Sequence, residues 1–244
     1  MSRVRIAPAG LRRRFAHAEE ATAAIEFALL MPLLLVILLA GSQIVLYINA
    51  SRKVGQVARS ISQMISQATP PNNSSVATVN ATDLHFSYDS TLVIFPYVMT
   101  DAKRQGIAWY SDIAINFASI GFTRIASSTC NDATDQSACY LANVVWTSTG
   151  TSQPGGANYR PCVTPQIPAA NTAAPSRTTL PRSVFGPASL IVIDVAFTFT
   201  STFASAFLPP IRIARTAYVQ PRYASLISFD TTGNDGIASK CPGY

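Results

Sequence analysis

An almost uninterrupted apolar run near the N-terminus dominates the pattern of hydrophobic and polar positions. It extends from Phe27 to Gly41 and resumes from Ile44 to Ile48. A helix needs about 20 apolar residues to cross a bilayer, and Phe27 to Ile48 supplies that length. We therefore predict a transmembrane helix over residues 22–48, preceded by a basic leader at residues 1–21.

The helical pattern continues beyond this segment. Apolar residues recur at helical spacing among polar ones, at Val54, Val57, Ile61 and Met64. This spacing puts them on one face of a helix, so residues 49–66 are predicted to be an amphipathic extension. Prolines and asparagines at 69–75 predict its end and a linker over residues 67–80.

Residues 81–244 have the pattern of an α+β domain. Leu84, Tyr88, Leu92 and Phe95 at helical spacing predict a second helix that Pro96 ends. Short β-prone or alternating segments follow, at 113–117, 141–146, 191–199 and 211–219. We expect a small antiparallel sheet of about four strands, packed on the amphipathic half of the long helix.

A long Pro-rich loop separates the second and third predicted strands. Ser148 to Pro187 contains seven prolines, so we expect no buried element there and either a functional or a disordered loop. Asp194 lies on the less apolar face of the third strand, which predicts an edge or solvent position.

Charge orients the predicted span. Five arginines precede it, against Arg52 and Lys53 just after it. The positive-inside bias therefore predicts a cytoplasmic N-terminus and an exported domain at residues 81–244. The formal net charge is +6, of which the leader carries a large part, and no basic patch is interleaved with aromatic residues. Nucleic acid is not an expected partner.

The four cysteines, Cys130, Cys139, Cys162 and Cys241, all follow the span. An even number of cysteines in an oxidising compartment predicts two disulfides. Three pairings are possible; we expect Cys130 with Cys139, which flank a polar loop, and Cys162 with Cys241. A zinc site is the alternative, but neither a CxxC spacing nor a nearby histidine supports it.

Catalytic motifs and cofactor-binding motifs are absent from the sequence. It contains His17 and His85 as its only histidines, and no GxSxG, HExxH or Walker-type glycine loop. We expect neither an enzyme nor a cofactor.

Glu26 is a carboxylate at the opening of the apolar run. An ionisable group inside a membrane segment costs several kcal/mol unless it finds a partner, so it is a functional hypothesis by default. The alternative is a side chain that reaches back to the headgroups.

The surrounding residues, ATAAIEFALLMPLLLVILLAGSQIVLYINASRKVGQVAR from Ala21 onward, resemble the N-terminus of the TadE-like family. Its members are pseudopilins and assembly proteins of the tight adherence (Tad) pilus. The resemblance covers residues 12–66 and returns more weakly at Ala217–Tyr223. It implies a pilin-like fold, an inner-membrane location, and as partners a prepilin peptidase and other Tad pilins and assembly proteins.

The resemblance also implies roles for four residues. The peptidase would cut between Ala21 and Thr22, although such enzymes usually prefer Gly before the bond. Glu26 would neutralise the new amine at Thr22 of a neighbouring subunit, with Phe27 beside it in the subunit packing. Two alternatives remain: a cleaved secretory signal ending near Ser42, and an unprocessed, membrane-anchored periplasmic adhesin or scaffold.

Overall fold

The computed structural model describes residues 19–125, 135–149, 158–203 and 209–244, with side chains from residue 24 onward. The chain divides into two compact units, a first that ends at Tyr47 and a second from Ile48 to Tyr244. Helix α1, Glu19–Ser66, has 48 residues and contributes to both units. The predicted long N-terminal helix is therefore confirmed.

The first unit consists, where described, of the apolar part of α1. In the described part of the chain, α1 is the one helix long and apolar enough to cross a membrane, with a mean hydropathy of 2.5 in its most apolar stretch. None of that stretch is buried within the protein. By length and composition, the helix fits a single-pass membrane anchor.

In the second unit the rest of α1 is amphipathic. Val54, Val57 and Ile61 are fully buried, as their spacing predicts. Met64 is instead 39% exposed, and Ile65 takes the buried position in the last turn. Three shorter helices follow: α2 (Ala81–Ile94), α3 (Tyr97–Gln105) and α4 (Trp109–Asp112).

Helix α2 was predicted from its periodicity, and a reciprocal cap explains where it begins. The Asp83 backbone N–H donates to the Asn80 side chain, and the Asn80 N–H donates to the Asp83 carboxylate, both at 3.0 Å. Such a capping box satisfies two backbone donors that a helix N-terminus otherwise leaves unpaired.

The strands, in chain order, are β1 (Val76–Val79), β2 (Ile113–Arg124), β3 (Tyr140–Ser148), β4 (Ile167–Ala169), β5 (Thr179–Pro181), β6 (Leu190–Phe199), β7 (Ile211–Val219), β8 (Leu226–Phe229) and β9 (Ala238–Lys240). Five of them form an antiparallel sheet in the order β7-β6-β2-β3-β9. This confirms the predicted antiparallel sheet and the α+β fold, with β9 as an additional strand. Two short parallel pairs, β1 with β8 and β4 with β5, lie beside it.

Strand β1 lies within residues 67–80, where the sequence predicted a linker. Its Ala77 and Val79 are buried, and it pairs with β8 near the C-terminus. Only the residues before β1 connect the helix to the domain without regular structure.

Strand β6 is an interior strand of the sheet and is mostly apolar on both faces. On one face, Phe197 contacts the Phe95 ring with centroids 5.1 Å apart, so the segment between α2 and α3 covers that face. On the other face, Leu190 and Val192 share a buried cluster with Leu180 and Phe185 of the Pro-rich segment. The sheet is therefore covered on both sides, which matches the near-continuous apolar run in β6.

The expectation that the Pro-rich segment contains no buried element is wrong. Arg160 and Leu180 within it are fully buried, and it forms β4 and β5. Proline favours extended backbone and tolerates edge strands. The residues between the prolines are therefore free to pack on the sheet.

Candidate functional site: the N-terminal helix and its carboxylate

Glu26 lies in α1 on an exposed apolar surface. Its neighbours Ile25 and Phe27 are 62% and 63% exposed. Within the described part of the chain, the Glu26 carboxylate makes no ion pair or hydrogen bond. A carboxylate on an apolar membrane helix needs a cation or a donor from elsewhere.

Ala21 and Thr22 lie in the first turns of the same helix. Glu26 lies four positions after Thr22, which is a rise of about 6 Å along the helix axis. A free amine at residue 22 would therefore stand about one turn from the level of the carboxylate. The side chains of residues 21 and 22 lie outside the described part.

Most of α1 in the first unit presents large apolar side chains. Leu29 and Leu38 are more than 70% exposed, and the intervening leucines are about half exposed. Such a surface must be covered by lipid or by another protein helix. What this site can do chemically is pack laterally and form one charge pair.

The structure pairs Cys162 with Cys241, with an S–S distance of 2.02 Å. This bridge joins the Pro-rich segment to the tail after β9, and Cys241 is buried. Cys139 is buried just before β3. Cys130 lies outside the described residues, so its pairing with Cys139 stays a prediction.

Sequence reasoning missed a buried ion pair on the interior strand β6 of the sheet. The Arg160 guanidinium contacts Asp194 Oδ2 at 2.8–3.0 Å, and the two residues are 0% and 5% exposed. Thr216 donates to the other Asp194 oxygen at 2.6 Å, and Arg160 also donates to Gln166 at 2.5 Å. This network attaches the Pro-rich segment to β6 and β7.

The predicted edge or solvent position of Asp194 is therefore wrong. Strand β6 has a neighbour on each side, β2 and β7. The carboxylate tolerates burial because Arg160 compensates its charge. The sequence signal that could have indicated this burial is an aspartate inside the most apolar strand of the domain.

A second buried pair, Asp101 and Asp112, was also missed. The Gln105 amide donates to both carboxylates, at 2.9 and 3.1 Å, and Asp101 is paired with Arg104. Burial, with a further contribution from Asp101, raises the pKa of Asp112 from 3.8 to about 7. Asp112 therefore changes charge near neutral pH.

His85, the histidine of the domain, contacts Asp235 at 2.7 Å on the surface. Across the described ranges, no group of three or more His, Cys, Asp or Glu residues is arranged to hold a metal ion.

Comparison with known proteins points to the N-terminal helix. Residues 21–62 match the family model described as TadE-like protein. The weaker resemblance at Ala217–Tyr223 lies outside this match. No curated protein and no solved structure matches the chain. The match begins at Ala21 and includes Glu26 and the apolar span, so the N-terminal helix of this chain is similar to that of TadE-like proteins.

Proposed function

We propose that the protein is a minor pilin-like (pseudopilin) or assembly protein of a Tad-type pilus. The observation that carries the proposal is the exposed apolar helix with Glu26 at its opening, within the segment that matches the TadE-like family. Pilus subunits assemble through lateral contacts of such helices. An exposed apolar helix with one charge is suited to that contact.

The N-terminus lies in the cytoplasm and the second unit outside. The charge difference across the span supports this orientation, with five arginines before it and two basic residues within a few positions after it. The Cys162–Cys241 disulfide supports an oxidising compartment for the second unit.

Prepilin peptidase removes residues 1–21 and creates a free amine at Thr22. In the assembled state, Glu26 of one subunit pairs with that amine of a neighbour. In lipid, an ion pair of this kind is favoured because each charge alone is costly there. The pair sets the axial register between adjacent helices.

The test compares Glu26→Ala and Glu26→Gln with Glu26→Asp as the matched control that keeps the charge. We expect Ala and Gln to leave the protein at normal levels in the membrane, because removing a charge from an apolar segment favours insertion. Pili should be lost or strongly reduced in both, and at least partly retained with Asp. Electron microscopy of pili and surface attachment measure this.

Normal pili with Glu26→Gln would remove the role assigned to Glu26. Loss of the protein from the membrane fraction would instead show that Glu26 acts in insertion or stability.

A further inference from the structure

Four cations lie at the beginning of the second unit. They are Arg52, Lys53 and Arg59 on α1 and Arg215 on β7. The sequence from Ile48 to Ser66 contains no Asp or Glu. Across the described ranges, none of the four forms a salt bridge. We refer to Arg59 and Arg215, which the structure brings together, as the basic cluster.

Arg59 and Arg215 are brought together over Gly55. The Arg59 Nε donates to the Gly55 carbonyl at 3.2 Å, and Arg215 donates to Ser51 Oγ at 2.7 Å. A Cβ at residue 55 would stand 3.5 Å from Arg59 Nη2 and 4.0 Å from Arg215 Cγ. Gly55 therefore leaves the two arginines side by side, each with guanidinium donors to spare.

The hydrogen bonds also fix the level of these charges along α1. The Arg59 side chain turns back to the level of Gly55, and Arg215 reaches the level of Ser51. At about 1.5 Å per residue, these levels are about 4–11 Å beyond Ile48, where the apolar run ends. The headgroup layer on each side of a bilayer is about 5–8 Å thick. With the end of the apolar run at the edge of the hydrocarbon core, these charges fall at or just above the depth of lipid phosphates.

We propose that the basic cluster binds the phosphate groups of anionic phospholipids in the leaflet next to the second unit. Arginine forks match phosphate oxygens with paired, charge-assisted hydrogen bonds. Basic residues beside a membrane span are attracted to anionic lipid. The inference rests on membrane anchoring by α1 and not on a role in the pilus.

Arg215 gives this site a consequence beyond the helix itself. It lies on the edge strand of the sheet, so lipid bound between Arg59 and Arg215 holds the sheet as well as α1 at the bilayer surface.

The experiment uses the full chain in micelles of an uncharged detergent. Soluble short-chain phosphatidylglycerol is titrated in, with short-chain phosphatidylcholine and inorganic phosphate as parallel probes. The thermal midpoint of unfolding is followed. We expect phosphatidylglycerol alone among the three probes to raise the midpoint of unfolding, and to do so saturably. The apparent affinity for phosphatidylglycerol should be at least about tenfold weaker in the double variant Arg59→Gln/Arg215→Gln.

Lys103→Gln/Arg124→Gln is the matched control, because it removes two exposed cations elsewhere on the second unit. Its response should equal that of the unmodified chain. An equal loss in this control would overturn the site in favour of overall charge. An equal response to phosphatidylcholine would overturn charge recognition, and saturation by inorganic phosphate at the same concentration would overturn the lipid as the ligand.

Salt provides a test that needs no variant. Raising the salt concentration from about 0.05 M to about 0.5 M shortens electrostatic range severalfold. Phosphatidylglycerol binding to the unmodified chain should weaken strongly, and binding that does not change with salt would contradict the proposal.

Discussion

The environment of Asp194 is set by Arg160, which lies 34 residues earlier in the Pro-rich segment. Alternation along β6 shows which face the aspartate takes, but not that an arginine covers that face. Burial of Arg160 is equally invisible in its local sequence, because the neighbouring residues are polar and proline-rich. Long-range charge pairs are therefore the part of this domain that periodicity does not predict.

Arg160→Met is expected to destabilise the domain by about 3–5 kcal/mol, because it leaves the Asp194 carboxylate buried without its counter-charge. Adding Asp194→Leu should recover much of the loss, since both charges are then absent. Chemical denaturation of the full chain in detergent measures the free energies. If the single and double variants lose the same stability, the pair does not act as a unit.

The raised pKa of Asp112 predicts that the stability of the protein depends on pH. Its pKa is raised in the folded protein to about 7 from 3.8, so the folded state binds more protons than the unfolded state between these values. Stability should therefore fall as pH rises from 5 to 8, by about 2 kcal/mol from this group.

The control for Asp112 is Asp112→Asn, which keeps the shape and can still accept from Gln105. The free energy of unfolding of the variant should not fall between pH 5 and pH 8 as that of the unmodified chain does. Its gain in stability over the unmodified chain should therefore be largest at pH 8. Thermal unfolding at several pH values measures it. Parallel curves for the two proteins would show that Asp112 does not titrate in this range.

At the level of elements, local periodicity was enough for the long helix, α2 and four strands. Val54, Val57 and Ile61 in α1 and the alternation in β6 give strong helical and extended signals. Strands β1, β8 and β9 have at most four residues each, and β1 finds its partner about 150 residues away. Segments this short have no period of their own, so only the assembled sheet reveals them.

The Cys162–Cys241 bridge also acts between parts of the fold, because it joins the Pro-rich segment to the tail after β9. Neither part has a periodic sequence pattern of its own. Replacing both cysteines with alanine is expected to cost about 2–4 kcal/mol. The Pro-rich segment should open more than the sheet, since neither cysteine lies in a strand. Hydrogen exchange of the full chain should show faster exchange in β4 and β5 than in β2 and β6.

The matched control is Lys240→Ala, an exposed residue of β9 next to Cys241 but outside the bridge. It should leave exchange in β4 and β5 nearly unchanged. Equal loss of protection across all strands in the cysteine variant would show that the bridge supports the whole domain.

For the whole molecule, the N-terminal helix carries the candidate function and the second unit carries most of the fold. The apolar span could be predicted from the sequence because crossing a membrane imposes length and composition rules on one continuous segment. The surface chemistry of the second unit could not be predicted from the sequence. Arg215 comes close to Arg59 only because β7 packs beside the helix.

The most direct test of the pilin-like account is the mass and N-terminal sequence of the protein isolated from the membranes and pili of its own cells. The account predicts a chain that begins at Thr22, with Glu26 as its fifth residue and residues 1–21 removed. An intact Met1 terminus would contradict processing as a prepilin and favour the unprocessed anchor. A terminus near Ser42 would contradict the membrane-anchored account altogether, because a signal peptidase would have removed the apolar span.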